Sequence, residues 1–231
     1  MRQVQFVEEE YYHIYNRGVD KRKIFMGDEH KDRYRFLHDL FEFNDEKYAP
    51  AFCRRNLDTR CPTVGSADLR KRLVEIICFC LMPNHFHLIL KQLKEGGISA
   101  FMHKMGQGYA KYFNRKYDRS GALFQGAFQA VHVRTDEQMM HLSRYIHLNP
   151  VDIFQPKWKE NGINDLKGIR DFLKNYRWSS YLDYIGTKNY PSLINREFIM
   201  KSYFKDEKDY EKFVMSGLEE DLSKIQHLLI E

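Results

Sequence analysis

Long apolar runs are missing from this 231-residue sequence: the longest, Ile76 to Met82, stops far short of the roughly 20 residues that a membrane-spanning helix needs. No secretory leader is expected from MRQVQFVEEEYY, which sets three early glutamates where a signal would carry an apolar block. Together these predict a cytoplasmic chain without a membrane partner. The 4 cysteines, Cys53, Cys61, Cys78 and Cys80, are too few for a disulfide scaffold at this length. Cys78 and Cys80 stand one strand period apart and read as core thiols. Gly106 and Gly108 lack the third glycine and the preceding strand of a dinucleotide-binding loop, so no nucleotide cofactor is expected. Neither internal repeats nor low-complexity segments occur.

What is plentiful is aromatic and charged surface: 15 Tyr and 17 Phe stand against 2 Trp, with 43% apolar and 30% charged residues. That composition fills a core and covers it, which excludes a disordered chain. The net charge of +5 is unevenly spread. Residues 1–150 carry 24 Lys and Arg against 18 Asp and Glu, while 151–231 carry 13 against 14. An acidic partner would therefore be met by the first 150 residues.

Alternation predicts a strand over Tyr11 to Asn16, ended by Gly18, and helical spacing predicts a helix from Asp28, as N-cap, to Phe43. Asn44 to Arg72, with seven basic and four acidic residues and no sustained period, reads as an excursion that is either merely solvated or touches a polyanion. Leu73 to Leu81 and His85 to Lys91 form a predicted hairpin about Met82-Pro83-Asn84. A helix follows, with Ile98, Phe101, Met102, Met105, Tyr109, Tyr112 and Phe113 as its apolar stripe and Lys104, Lys111, Arg115 and Lys116 about the other face. A last strand is predicted over Leu123 to Val133, bent at Gly126, then a helix opened by the capping box Thr135/Gln138 and closed by Asn149-Pro150. This order best fits an α+β fold: a ferredoxin-like split βαβ antiparallel sheet with an extra helix. It implies a domain over 1–150 and a mostly helical extension over 151–231.

His85 and His87 share one strand face, a spacing that can chelate a divalent ion, although two satisfied surface histidines would look the same. Phe86, Leu88 and Leu90 assign the opposite face to the core, leaving the histidines on an open side of the sheet. Tyr145 and Asn149 stack four apart on the last helix of the 1–150 unit, with His141 one turn earlier as an assisting base. Two imidazoles and one amide oxygen suit a hard ion with open positions, which would leave Tyr145 as nucleophile. The bland alternative is a tyrosine packed at a helix–sheet interface. Tyr117, with Arg115, Lys116 and Arg119, is either a DNA-backbone contact or a solvated helix end. His13 either joins the histidine pair or is an ordinary sheet residue.

Met82-Pro83-Asn84-His85-Phe86-His87, Tyr112-Phe113-Asn114-Arg115-Lys116-Tyr117 with Gly121-Ala122-Leu123-Phe124-Gln125, and Arg144-Tyr145-Ile146-His147-Leu148-Asn149-Pro150-Val151 resemble the single-tyrosine HUH transposases. Trp178-Ser179-Ser180-Tyr181 is similar to the branch associated with repetitive extragenic palindromes (REP), so the resemblance spans about residues 10–185. It implies that His85, His87 and Asn149 hold Mg²⁺ or Mn²⁺ and that Tyr145 attacks single-stranded, hairpin-forming DNA. A 5′-phosphotyrosine and a free 3′-hydroxyl would result, with the chain acting alone or as a homodimer. Two alternatives stay open. One is a catalytically silent DNA-binding or regulatory module, against which the joint presence of all four residues speaks. The other is a structural zinc site at Cys78, Cys80, His85 and His87.

Overall fold

A computed structural model describes residues 4–26, 30–47 and 70–218. Asp28, Cys53, Cys61, most of the 44–72 excursion and the chain beyond 218 lie outside the described residues.

Alternation of Tyr12 and Ile14 with His13 and Tyr15 produces β1 (Tyr11–Arg17). Gly18 ends it where any Cβ would collide with the Arg22 carbonyl oxygen, so only glycine fits the turn. Next comes α1 (Lys31–Glu42), which starts after His30 and buries Phe36, Leu37 and Leu40. β2 (Val74–Leu81) and β3 (His85–Gln92) form the hairpin, its turn closed by Met82 N–H donating to the His85 carbonyl at 2.9 Å. α2 (Gly97–Lys116) buries Ile98, Phe101, Met102, Met105, Tyr109 and Phe113, the stripe set by helical spacing. β4 covers only Gln129–Val133 of the expected Leu123–Val133 strand. The earlier half is irregular because Gly126 takes a φ of +73°, and only an isolated Phe124–Gly18 bridge remains there. α3 (Asp136–Leu148) begins at the capping box: Gln138 N–H donates to Thr135 Oγ1 at 3.1 Å, and Arg134 N–H donates to Gln138 Oε1 at 2.8 Å.

Among the described residues six short helices follow: α4 (Val151–Phe154), α5 (Trp158–Asn161), α6 (Leu166–Asn175), α7 (Tyr181–Tyr184), α8 (Glu197–Tyr203) and α9 (Glu207–Ser216). The sheet is antiparallel throughout, in the order β2-β3-β1-β4. The molecule is thus an α+β assembly with additional C-terminal helices.

The sheet has two different faces. Tyr12, Ile14, Phe86, Leu88 and Leu90 are buried on the one beneath α1 and α2, where the Phe36 and Phe86 rings meet at 5.0 Å and Tyr109 packs edge-on against Phe36. The other face holds His13, Tyr15, His85 and His87, and α3 packs over it. The expected open side is therefore largely roofed, by α3 itself and by the extension. Leu81 N–H donates to the Trp178 carbonyl at 2.8 Å, Ser180 N–H to the Phe79 carbonyl at 3.0 Å, and Asn195 N–H to the Ile76 carbonyl at 2.8 Å. The Trp178-Ser179-Ser180 stretch thus covers the outer edge of β2, which would otherwise present unpaired backbone groups. Among the described residues, no helix is long and apolar enough to cross a membrane.

Candidate active site

His85 and His87 emerge on one face of β3 directly after the hairpin turn, with ring centroids 5.0 Å apart and planes nearly perpendicular. His85 Nδ1 lies 2.7 Å from Asn84 Oδ1. An amide oxygen only accepts, so this Nδ1 carries the proton and Nε2 keeps its lone pair. His87 Nδ1 lies 2.9 Å from His13 Nε2. Each histidine thus has its Nδ1 held by a neighbouring side chain.

Burial lowers the His85 pKa to about 4, opposed by a hydrogen bond with the Asn149 side chain and assisted by the charges of Arg17 and Lys159. His87, also buried, is held well below the ordinary imidazole range, with His85, His13 and Lys159 adding to the effect. Both rings are neutral at pH 7, the form in which imidazole ligates metals.

α3 supplies the opposing groups. Tyr145 sets its ring edge-on to His87 at 5.7 Å, and Asn149, one turn later, donates from Nδ2 to the Tyr145 carbonyl at 3.0 Å. That bond turns the amide oxygen to the other side, and the Asn149 side chain also meets His85. Two neutral imidazoles and an amide oxygen are a donor set suited to a hard or borderline divalent ion. His85, His87, Tyr145 and Asn149 all line one cavity of about 670 Å³. Four cations, Arg17, Lys21, Lys157 and Lys159, share that lining with two acids, Asp152 and Glu160, which favours an anionic ligand. Lys159 stands over the Tyr145 ring at 5.4 Å.

Other expected residues lie elsewhere. His141 Nδ1 meets Arg144 at 2.8 Å, its Nε2 faces Glu137 at 3.7 Å, and it is not among the cavity's lining residues. Lys104, Lys111, Arg115, Lys116, Tyr117 and Arg119 belong to α2 and its C-terminal end, across the sheet from Tyr145, and none lines the cavity. Lys104 reaches the Asp45 carbonyl, and Lys116 and Tyr117 both bond Asp32, at 2.6 and 2.7 Å. Arg119 holds Asn114 at 3.3 Å, while Lys111 and Arg115 are exposed.

The four-residue zinc cluster does not form. Cys80 pairs across the strands with His87, but Cys78 pairs with Ile89, and both thiols are fully buried with burial pushing their pKa upward. Among the described residues no three His, Cys, Asp or Glu form a metal-holding group.

Sequence reading missed the cavity's cations. Arg17 was within reach of it, since it continues the His13/Tyr15 face of β1 and pairs with His85. Lys157 and Lys159 sit about a four-residue helix with no periodic signal.

Residues 43–149 match a family model described as Transposase IS200 like. That segment holds His85, His87, Tyr145 and Asn149, while β1 and the extension lie outside it. No curated protein matches the chain. Among solved structures, a REP-associated tyrosine transposase bound to a REP hairpin is 15% identical, with a TM-score of 0.49 over 83% of this chain and 88% of that one. A candidate transposase from Deinococcus radiodurans R1 is 13% identical, with a TM-score of 0.36 over 63% and 95%. A bacterial tRNA(His) guanylyltransferase-like protein in complex with ATP is 11% identical, with a TM-score of 0.35 over 78% and 77%. At such identities and scores these likenesses carry no weight for the activity.

Proposed function

We propose, from the match of residues 43–149 to the model described as Transposase IS200 like together with the motif resemblance, that the protein cleaves and rejoins single-stranded, hairpin-forming DNA through Tyr145. The observation that carries the reading is the shared cavity: the phenol of Tyr145, two neutral imidazoles and the Asn149 amide line one cationic hollow. The ferredoxin-like core belongs to the same proposal and is supported by the strand order β2-β3-β1-β4. The preference for hairpins rests on the motif resemblance alone.

Tyr145 Oη attacks the phosphorus of the scissile phosphodiester. An Oη–P bond forms as the P–O3′ bond breaks, the phenol proton leaves to solvent, and the departing 3′ oxygen takes a proton up. The 5′-phosphotyrosine retains the bond energy, so attack by a 3′-hydroxyl reverses the step and joins strands without nucleotide hydrolysis. Arg17, Lys21, Lys157 and Lys159 hold the phosphate backbone in the cavity. Asn149 fixes the helix turn beneath Tyr145 while offering its oxygen beside His85. Mg²⁺ or Mn²⁺ held by His85, His87 and Asn149 would polarise the scissile phosphate and stabilise the charge that develops on it. The 5.7 Å contact of Tyr145 with His87 in one chain supports action within a single subunit.

The test is incubation of a single-stranded hairpin oligonucleotide with wild type and Tyr145→Phe in Mn²⁺, resolved on a denaturing gel. An adduct with wild type and none with the variant is expected. DNA binding by wild type without any adduct would replace this reading with a silent binding module.

A further inference from the structure

His13 is fully buried at the centre of β1, and nothing in its strand pairing calls for an imidazole, because its partners are Ile89 on one side and Val131 on the other. A buried polar side chain needs a partner, and His13 reaches diagonally across the β1–β3 ladder to find one. Its ring stacks on that of His87 at 5.1 Å with planes 20° apart, and its Nε2 meets His87 Nδ1 at 2.9 Å.

Two neutral imidazoles at that distance share one proton, and which ring carries it decides what the other nitrogen of His87 can do. If His87 Nδ1 accepts, its proton sits on Nε2, and Nε2 has no lone pair to offer. If His87 Nδ1 donates, Nε2 is bare. We infer that His13 is a positioning residue that accepts the His87 Nδ1 proton, fixing the His87 tautomer and ring orientation so that Nε2 is presented to a divalent ion. This deepens the proposed metal site and rests on that reading.

The arrangement at His85 is the independent parallel. There too Nδ1 is held by a neighbour, the Asn84 oxygen at 2.7 Å, which leaves Nε2 as the ligating nitrogen. Asn84 comes from the hairpin turn, whereas His13 comes from β1, outside the 43–149 segment that matches the transposase family. The first strand therefore contributes to the site although it carries none of the proposed ligands. Outer partners of this kind orient ligating histidines and raise their basicity.

Mn²⁺ binding to DNA-free protein, read by titration calorimetry or by electron paramagnetic resonance, tests this without reference to activity. His13→Phe fills the space without an acceptor and is expected to weaken Mn²⁺ binding about 10- to 100-fold. His13→Gln keeps an acceptor oxygen and should recover most of the loss. Raising Mn²⁺ should restore the cleavage rate of His13→Phe with the KM for DNA unchanged. A folded His13→Phe protein with wild-type Mn²⁺ affinity would overturn the inference. Should that variant not fold, imidazole ¹⁵N correlation spectra of the metal-free wild type decide it: His87 with its proton on Nδ1 is expected, and a proton on Nε2 overturns it. His85→Ala separates the two levels. If it abolishes Mn²⁺ binding while His13→Phe leaves it intact, this inference alone fails; if wild type binds no Mn²⁺, the metal site fails and this inference with it.

Discussion

Two histidine sites flank the same sheet, one closed and one open, and their nitrogen partners separate structure from chemistry. His147, on α3, is fully buried with both nitrogens engaged: Nδ1 meets the Tyr210 hydroxyl at 2.7 Å and Nε2 the Ser180 hydroxyl at 2.8 Å. Ser180 in turn bonds Phe79 on β2, and Tyr210 bonds Ser143 at 3.3 Å. The network pins α9 and the segment before α7 onto α3 and the sheet, and no imidazole nitrogen is left to react. His85 and His87 each have Nδ1 held by a polar side chain from the sheet or its turn, the His85 ring also meets the Asn149 side chain, and both rings face a cationic cavity. Access to the cavity, with His147 enclosed between two hydroxyls and His85 and His87 on its lining, distinguishes a histidine that holds a fold together from one that can hold a ligand.

Five substitutions and one titration break or sharpen that contrast. The largest effect is expected from His87→Ala, which should weaken Mn²⁺ binding by more than about 100-fold, since even outer partners of a metal site are worth about 10- to 100-fold. A calorimetric titration checks this. His147→Ala should leave Mn²⁺ affinity alone and cost about 2–4 kcal/mol of stability, because it opens a cavity and takes one partner from each of two buried hydroxyls. The shift of a urea midpoint measures it.

The pH dependence of that midpoint comes next. Burial lowers His85 to about 4 and His147 to about 3, against 6.5 for an ordinary imidazole. Below 6.5 the unfolded chain gains protons that the folded one resists. Stability is therefore full above 6.5 and falls as the pH drops toward 3–4, by about 1.4 kcal/mol per pH unit for each such histidine. His147→Gln should flatten the slope by one histidine's share. Tyr210→Phe should cost about 1–2 kcal/mol by removing one hydrogen-bond partner. Thr135→Ala, at the N-cap of α3, is expected to cost about 1 kcal/mol and to change neither site.

The sites differed in how far the sequence disclosed them. His85, His87, Tyr145 and Asn149 were legible because strand period two and helix period four each place a pair on one face, and the capping box marks where α3 begins. The succession of strands and helices along residues 11–148 followed from the same periods. Legibility stopped where contacts cross between distant segments. Nothing local ties His147 to Tyr210, 63 residues away; for His13 strand alternation left two readings open, and the 2.9 Å contact with His87 decides for the one that joins it to the histidine pair. Lys159 reaches Tyr145 through short helices with no pattern to read. His141 shares a helix face with Tyr145 in the sequence, but Arg144 and Glu137 hold it away from the cavity. The α2 cations were read by charge alone, and the sheet separates them from the phenol.

The central claim is that one tyrosine of 15 forms the bond to DNA. Mapping the covalent adduct tests it most directly: wild type is incubated with a single-stranded hairpin oligonucleotide and Mn²⁺, digested with protease and nuclease, and sequenced by mass spectrometry. A 5′-phosphonucleotide on the peptide carrying Tyr145 is the predicted result, and the same modification on any other residue would contradict it.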